Sequence, residues 1–548
     1  MPHQKDSYSF WPWQPVIMIS LLAFGIIIGG TLNFYSPDSL QNEGNRSSSF
    51  FKTRSDHHKI IDVLRFVESH YVDDVDVDQL MDIAISSILD TLDPHSFYIS
   101  KSELQDVNER TRGDFEGIGV EYVRMEDTIV VIRVTADGPA EQSGLESGDL
   151  ILEADGTVLS AVDHTDSIKN LIKGPKGSQI LLKIFDQSEQ QTRDLSLERG
   201  SITYHSVEYS TSLSPEIGYI KLSHFNGNAY QEFMKALESL TRDNRLEKLI
   251  IDVRDNPGGY LSEVVKILSQ LFEDKGKLLV YTENRTGVQK KFSSTGKSFF
   301  SVGDIAVLVN QNSASASEIL AGAIQDWERG VVVGQRSYGK GLVQEQFELS
   351  DGSAIRLTTA KYLTPSGRMI QRPYDEGIYE NTNQRRYLSG EFFSRDSIES
   401  LDSLSFTTQY GSPLISGKGI VPDIFVPLDS FSFSSCNLWA SSHIQSFIYE
   451  TLYKKEAQWP KTFDASFLVE EWRQHLLNKK EFPQHCEEEK VPFNEYYKKQ
   501  LLYYFFMFSG QKDRANEALL QYDKSLEEVF EYWDTPLSFD ESKSSNLN

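Results

Sequence analysis

A group of serines and a lysine further along the chain have the types and spacing of a nucleophile and its base. Ser313, Ser315 and Ser317 alternate with small residues just before a predicted helix, and Lys340 lies between two glycines. A serine hydroxyl needs a base to become a nucleophile. A neutral lysine can be that base when burial lowers its pKa from its usual value of about 10.4. The pattern indicates a serine nucleophile that is activated without histidine.

The same residues also fit simpler structures. Ser315 with Glu318 three positions later matches a capping box, in which the serine caps the helix that begins there. Lys340 also fits the pattern of an exposed surface lysine in a glycine-rich loop. The local sequence by itself favours the cap. However, Lys340 follows the apolar residues 331–333, and its glycine neighbours would admit a bulky side chain to a tight space.

Alternating apolar strands and helices predict an α/β core over residues 199–427 that would position these side chains. The strand expected just before the serines would place their hydroxyls at a helix start, beside free backbone amides and the positive end of the helix dipole. The expected elements are strands at 217–222, 249–254 and 305–309, a helix at about 229–240, a break at 255–259 and a helix from near Leu261.

Residues 113–198 contain three glycine motifs in an order that closely resembles a PDZ domain. The motifs are Gly-Ile-Gly-Val at 117–120, a short helix between glycines at 138–145, and a strand with an Asp-Gly turn at 148–156. The resemblance implies that the backbone around Gly117, Ile118, Gly119 and Val120 receives the terminal carboxylate of a peptide that adds as a strand. The alternative is an ordinary small β-domain with glycine turns.

The N-terminus carries the membrane candidate of this 548-residue chain. An uncharged apolar run within residues 15–35 reaches the roughly 20 residues that cross a bilayer, with aromatic residues at its edges. We interpret residues 1–35 as a short tail and an uncleaved transmembrane anchor. A cleaved signal peptide is the alternative. The flanking charges do not set the orientation.

The rest of the chain divides by composition. Residues 36–57 are predicted to be a linker, 58–112 a helical N-terminal region, and 428–548 a helical, acidic and aromatic region of unknown role. The apolar run at 501–508 is too short to span a bilayer and indicates a buried helix or a subunit contact. The length favours several domains, and the net charge of −26 argues against a nucleic-acid binder.

Two cysteines, Cys436 and Cys486, are equally compatible with one disulfide and with two thiols. Neither lies in a metal-ligand pattern, so we expect no metal and no cofactor.

Several ordered motifs across residues 58–427 together resemble the carboxyl-terminal processing, or tail-specific, serine peptidases. The motifs are Leu-Asp-Pro-His-Ser at 92–96, the PDZ loops, Asp-Val-Arg-Asp-Asn-Pro-Gly-Gly at 252–259, and the segments 313–326, 334–344, 364–371 and 419–423. The implied fold class is a multidomain α/β and α+β protein with a helical N-terminal segment, a PDZ-like domain, a Ser-Lys peptidase core and a helical C-terminal region.

The resemblance also assigns roles to residues of the site. Ser315 would be the nucleophile, Lys340 the base, and Gln344, one helical turn or short loop later, the residue that orients the lysine. The oxyanion hole would take the amide of Ala316 and one from Gly258 or Gly259. Many relatives carry arginine where this chain has Lys173, and a lysine cannot form the same bidentate contact.

These assignments predict a membrane-anchored endopeptidase whose PDZ domain recognises free C-terminal tails and which cleaves through a Ser-Lys acyl-enzyme. Its partners would be tailed proteins, the membrane and further copies of itself. It would lie in the inner membrane, single-pass, with the catalytic part facing the periplasm or cell exterior. Two alternatives are a PDZ adaptor with an inactive peptidase-like core, and a membrane scaffold with an auxiliary peptidase.

Overall fold

The structure is a computed structural model that describes residues 58–125, 128–162, 164–242, 246–374, 382–399, 404–416, 418–428, 435–454, 465–477 and 495–535. The predicted tail, anchor and linker lie outside these residues. The chain forms two compact units, Met1–Met81 and Asp82–Asn548. Helix α1 (His58–His70) belongs to the first unit, and α2 (Val77–Asp90) crosses the boundary. Within the described ranges, every helix is too short or too polar to cross a membrane.

The predicted helical N-terminal region also contains a short strand. After α2 come β1 (Phe97–Ile99) and α3 (Lys101–Arg112). The strand pairs with Ala354–Arg356 far along the chain, which local sequence patterns do not reveal. Helix α3 begins at Ser100, whose amide donates to Glu103, and ends at Gly113 with φ 93°. These are ordinary start and stop signals of a helix.

The predicted PDZ domain is a curled antiparallel sheet with two helices. Its elements are β2 (Asp114–Gly117), β3 (Val120–Met125), β4 (Thr128–Val134), α4 (Pro139–Gln142), β5 (Leu150–Ala154), β6 (Thr157–Val158), α5 (Thr165–Ile172), β7 (Gln179–Asp186) and β8 (Gln191–Glu198). The main sheet has the order β3-β4-β5-β7-β8. Ile180, Leu182 and Ile184 alternate into the core, as expected for a strand with one buried face.

The predicted α/β core follows, and the strands and helices expected from the sequence are present, although the strand predicted at 249–254 ends at Asp252. Its elements are β9 (Gly200–Thr203), β10 (Val207–Ser214), β11 (Ile217–Leu222), α6 (Ala229–Thr241), β12 (Lys248–Asp252), α7 (Leu261–Leu271), β13 (Leu278–Asn284), β14 (Gln289–Ser293), β15 (Asp304–Val309), α8 (Ala316–Asp326), β16 (Gly330–Gly334), β17 (Leu342–Glu348), β18 (Ala354–Leu363), α9 (Thr382–Leu388), α10 (Arg395–Glu399), β19 (Leu404–Thr407), β20 (Pro413–Ser416) and β21 (Ile424–Phe425).

The topology of this core brings the motif-bearing loops together. The central sheet has the order β10-β11-β12-β15-β16-β21, and all its pairs from β11 onwards are parallel. Parallel strands end at the same edge, where ligands bind in open α/β sheets. The loops after β12, β15 and β16 carry the break at 255–259, the serines and Lys340. A second sheet, β1-β18-β13-β14 with β17 on β18, flanks this edge.

The C-terminal region is helical in its described parts. Its elements are α11 (Ser435–Ser442), α12 (Ile444–Tyr449), a π-helical turn (Glu450–Lys454), α13 (Ala465–Leu477), α14 (Glu495–Phe508), α15 (Lys512–Gln521) and α16 (Lys524–Tyr532). The run 501–508 forms the buried part of α14, so the predicted core helix is confirmed. Cys486 lies outside the described residues, so the two expectations for it and Cys436, one disulfide or two thiols, both stand untested.

These C-terminal helices pack against both preceding domains. Phe447 and Leu501 share an apolar cluster with Val130 of β4. A side chain at Gly148 would collide with the hydroxyl of Tyr453, which shows how closely this region approaches the predicted PDZ domain. Helix α16 packs on the central sheet of the core.

Candidate active site

Ser315 occupies a strained turn between β15 and α8. Its φ of 55° and ψ of −112° are uncommon for a residue with a side chain. Ser313 and Ser317 are fully buried, and their hydroxyls donate to the carbonyls of Val253 and Asn256 at 2.8 and 2.9 Å. Two of the three serines therefore hold the turn in place, whereas the side chain of Ser315 stays partly accessible.

The loop after β12 cradles this turn through Asn256. The carbonyl of Asn256 accepts from the Ala314 amide at 3.0 Å. Its buried side chain donates to the carbonyl of Leu222 at 2.8 Å and accepts from the Gly258 amide at 2.8 Å. Each group of Asn256 thus joins a different segment, and together they fix the loop 255–259 beside the serine turn.

The predicted oxyanion residues lie side by side. A β-carbon at Gly258 would lie 2.9 Å from the nitrogen of Ala316, and the φ of 102° there already favours glycine. Ala316 is the first residue of α8, where backbone amides lack partners within the helix. The Gly258 amide donates to Asn256, and the assignment of the second oxyanion amide to Gly258 or Gly259 stays a prediction.

Lys340 reaches into a largely buried environment. Burial, and then the nearby charge of Arg356, lower the pKa of Lys340 from its ordinary value, while Glu318 and Asp93 partly oppose them. The ammonium donates to Oε1 of Gln344 at 2.9 Å. The predicted partner is therefore in contact with Lys340, but its location differs from the prediction: Gln344 lies on strand β17 rather than on a helical turn or a loop.

Gln344 is oriented by the Leu-Asp-Pro-His-Ser motif near the N-terminus. Its amide nitrogen donates to the carbonyl of His95. Asp93 holds that turn by accepting from the amides of His95 and Ser96 at 2.8 and 3.0 Å. The turn is fixed to the core because the hydroxyl of Thr358 on β18 also donates to Asp93, at 3.1 Å. Sequence patterns had assigned this motif no functional role beyond its part in the family resemblance.

Glu318 joins the serine turn to the lysine loop. One carboxylate oxygen accepts from the amides of Ser315 and Lys340 at 2.9 and 2.8 Å. The other accepts from the Gly339 amide at 2.7 Å and the Ser337 hydroxyl at 2.5 Å. Burial raises the pKa of Glu318, but these hydrogen bonds oppose it, and four donors suit an ionised carboxylate.

The capping-box pattern predicted part of this arrangement. It correctly placed the carboxylate of Glu318 on the amide of Ser315, but not its contacts with the lysine loop. The buried hydroxyl of Tyr362 adds a second link, since it lies within hydrogen-bonding distance of the carbonyls of Ser315, at 3.0 Å, and Lys340. No local signal in the sequence pointed to Tyr362, because its role depends on where β18 packs.

The four predicted peptide-binding residues line one cavity of about 560 Å³. They are Gly117, Ile118, Gly119 and Val120. The same cavity is lined by Pro257, the neighbour of Gly258 in the catalytic loop. A single space therefore runs from the predicted carboxylate loop of the PDZ domain to the loop that cradles Ser315.

Lys173 stands in this cavity wall between two carboxylates of α3. Its ammonium lies 2.9 Å from Asp106 and 2.9 Å from Glu109. Burial opposes the charge, but these hydrogen bonds raise the pKa of Lys173 above its ordinary value. At this position the compact ammonium of Lys173 bridges two separate carboxylates, whereas an arginine would offer a planar guanidinium that can bind one carboxylate through two hydrogen bonds.

Among the described residues, no cluster of three or more His, Cys, Asp or Glu side chains could hold a metal ion.

Comparisons with known proteins agree with this architecture. A family model described as peptidase family S41 matches residues 216–383, and one described as a PDZ domain matches residues 130–184. A carboxy-terminal-processing protease of Bartonella bacilliformis is 33% identical over 313 residues, which cover 57% of this chain and 71% of that protein.

Two further relatives have similar names. The carboxy-terminal processing protease CtpB of Bacillus subtilis is 35% identical over 319 residues, or 57% of this chain and 65% of that protein. A solved photosystem II D1 C-terminal processing protease is 26% identical, with a TM-score of 0.36 over 67% of this chain and 92% of that one. The chain therefore belongs to the carboxyl-terminal processing serine peptidases of family S41, with a PDZ domain.

Proposed function

We propose that this protein is a membrane-anchored endopeptidase that receives the free C-terminus of a protein substrate and cleaves it with Ser315 and Lys340. The observation that carries this proposal is the shared contact at Glu318. One oxygen of that carboxylate holds the backbone amides of both Ser315 and Lys340. A partly accessible serine in a strained turn and a buried lysine with a lowered pKa are thereby fixed to the same group.

The chemistry would proceed through an acyl-enzyme. Neutral Lys340 takes the proton of the Ser315 hydroxyl while the serine oxygen attacks the scissile carbonyl carbon. The resulting oxyanion is stabilised by the amide of Ala316 and one amide of the Gly258-Gly259 turn. The C–N bond then breaks, and the protonated lysine gives its proton to the leaving amine. In the second half, Lys340 takes a proton from water, the hydroxide attacks the ester, and Ser315 recovers its proton as the new C-terminus leaves.

Gln344 would keep the lysine in position during this cycle. Its side-chain oxygen accepts from the ammonium, and its nitrogen is fixed on the carbonyl of His95. A hydrogen-bond acceptor without charge can orient Lys340 but does not pair with it as an anion would. It therefore leaves intact the effect of burial that favours the neutral base.

The PDZ domain would select the substrate. A peptide that adds as a strand beside β3 would place its terminal carboxylate at Gly117 to Val120. The cavity continues to Pro257, so the preceding residues of an extended tail would lead towards Ser315. The substrate would therefore need a free carboxylate, because an amidated end does not accept hydrogen bonds from the backbone amides as a carboxylate does.

The membrane anchor belongs to this proposal because of the uncharged apolar run within residues 15–35. We assign the catalytic part to the periplasm or cell exterior, with the short tail in the cytoplasm. Reporter fusions and protease accessibility in cells would test this arrangement. A catalytic part that stays in the cytoplasm, or that leaves the membrane after cleavage of the N-terminus, would contradict it.

The activity is tested with a folded protein that carries an unstructured C-terminal tail. We expect wild-type protein to shorten the tail, and Ser315→Ala and Lys340→Ala to reduce kcat about a thousandfold or more. Lys361→Ala, at an exposed position on β18, is the matched control and should retain activity. The same substrate with an amidated end should be cleaved poorly. Wild-type protein that binds the tail without cutting it would instead support the PDZ adaptor.

A further inference from the structure

The last helix of the chain contributes an acidic side chain near the catalytic loop. Asp523 caps α16 and accepts from the amides of Ser525 and Leu526 at 2.9 and 3.4 Å. The helix packs Val529 and Phe530 into the apolar face of the central sheet. Asp523 lies beyond the residues that either family model matches.

Asp523 forms a two-pronged ion pair with Arg254. The two guanidinium nitrogens of Arg254 lie 3.1 and 2.7 Å from the two carboxylate oxygens of Asp523. The same guanidinium also binds Asp252, which is fully buried, at 2.6 Å. Such a fork fixes the orientation of an arginine as well as its position. Arg254 is thus held between one carboxylate of the core and one of the C-terminal region.

Two lysines also approach these carboxylates. Lys221 lies 3.6 Å from Asp252 and donates to the backbone carbonyl of Arg254 at 3.0 Å. Arg254, Lys221 and the two carboxylates therefore meet in a buried place. Lys499 lies close enough to feel the charge of Asp523, and burial lowers its pKa. Loss of the Asp523 charge would leave Arg254 and Lys221 against Asp252 alone, an imbalance that a buried cluster tolerates poorly.

Arg254 stands in the middle of the segment that holds the serine turn. On one side, the carbonyl of Val253 accepts from the hydroxyl of Ser313. On the other side, the carboxylate of Asp255 accepts from Asn310 and Asn312 at 2.9 and 2.8 Å.

Asn256 adds the contacts with Ala314 and Ser317. The side chain of Arg254 therefore helps to hold the whole loop in place. One of the two carboxylates that bind it, Asp523, belongs to the start of α16.

We infer that Asp523 is a positioning residue for the peptidase reaction, through which the C-terminal region holds residues 253–259 against the serine turn. This inference rests on the proposed function. It gives the region 428–548 a role in catalysis, although none of its described residues touches the serine turn in the contacts above.

The test compares Asp523→Asn with Val529→Ala. Asparagine keeps the size of the side chain and caps helices as well as aspartate does, so it removes mainly the charge. Val529→Ala leaves a cavity under the same helix and serves as the stability control. We expect Asp523→Asn to lower kcat for a tailed substrate about tenfold or more, with KM changed less than about twofold. Asp523→Glu, which keeps the charge, should recover most of kcat.

Hydrogen exchange provides a readout that needs no activity. The amides of residues 253–256, 258 and 259 should exchange faster in Asp523→Asn than in Val529→Ala at an equal loss of Tm. Unchanged kcat and exchange in Asp523→Asn would overturn the inference, as would an equal loss of kcat in Val529→Ala. If Asp523→Asn does not fold, Asp523→Ser takes its place in the test, since serine is also an uncharged helix cap. Wild-type protein without peptidase activity would refute the proposed function, whereas the exchange comparison would still decide the inference.

Discussion

A β-carbon at Gly258 would lie 2.7 Å from the β-carbon of Ser315. The two residues are 57 positions apart in the sequence, yet their backbones touch because β12 and β15 are adjacent parallel strands that end at the same edge. The space that a side chain at residue 258 would fill is the space beside the serine and the Ala316 amide. The glycine is required there by contact as well as by its φ of 102°.

We therefore expect Gly258→Ala to abolish tail cleavage, because the added carbon displaces Ser315 or the amide beside it. Gly276→Ala is the matched control, since its φ of 86° imposes a similar backbone strain but its β-carbon would meet nothing within 4 Å. Gly276→Ala should lose about 1 kcal/mol of stability to backbone strain, and Gly258→Ala should lose more because its β-carbon also collides with the serine turn. Peptidase assays on the two folded variants measure whether only Gly258→Ala loses tail cleavage. Equal activity in both would refute the role of the contact.

The charge of Arg356 is expected to influence the pH profile. It disfavours protonated Lys340 and is the second cause, after burial, of the lowered pKa. Activity rises with pH as Lys340 loses its proton. Arg356→Gln should raise the pKa of Lys340 and move the rising limb of kcat/KM up by about half to one pH unit. Lys361→Gln, exposed on the same strand, should leave the limb in place. A shift to lower pH in Arg356→Gln would contradict the assignment of Lys340 as base.

We expect glutamine to be unable to replace Glu318, because the site needs a carboxylate there. Glu318→Gln puts an NH₂ group where two donors now point, whichever way the amide turns. We expect kcat to fall about a hundredfold and stability to fall by about 2–4 kcal/mol. Thermal melts and tail-cleavage assays measure both effects. Glu348→Gln, exposed at the end of β17, is the control. A Glu318→Gln protein with normal kcat would show that the shared contact does not position the dyad.

Lys173 is expected to contribute to recognition of the terminal carboxylate. Without its charge, Asp106 and Glu109 would repel an anion that enters the cavity, since Glu109 also lines it. Lys173→Met should weaken binding of a peptide with a free C-terminus about tenfold, measured by titration with the Ser315→Ala protein. Lys176→Met, exposed in the same loop, should bind normally. An equal loss for the amidated peptide would indicate a structural effect instead.

Several features of the site could be predicted from the sequence because they depend on neighbours along the chain. Apolar runs and glycine breaks located the strands and helices of the core. The pattern from Ser315 to Glu318 located a helix start and one of its hydrogen bonds. Residues 117–120 were placed in a PDZ loop, where the structure shows a cavity. The assignment of Ser315, Lys340 and Gln344 came from the resemblance to a family and stays a prediction until it is tested.

The distant residues that contact these motifs are set by the packing of the whole chain. Gln344 lies on a strand and meets the carbonyl of His95, 249 positions away. Arg254 meets Asp523 across 269 positions. Such contacts depend on which strands pair and which helices cover the sheet, and a local pattern contains neither. The local chemistry and the elements that bear it could be predicted from the sequence, because hydrophobic period and turn residues act over short distances. The packing of a parallel sheet determined how Gly258, Glu318 and Asp523 surround that chemistry.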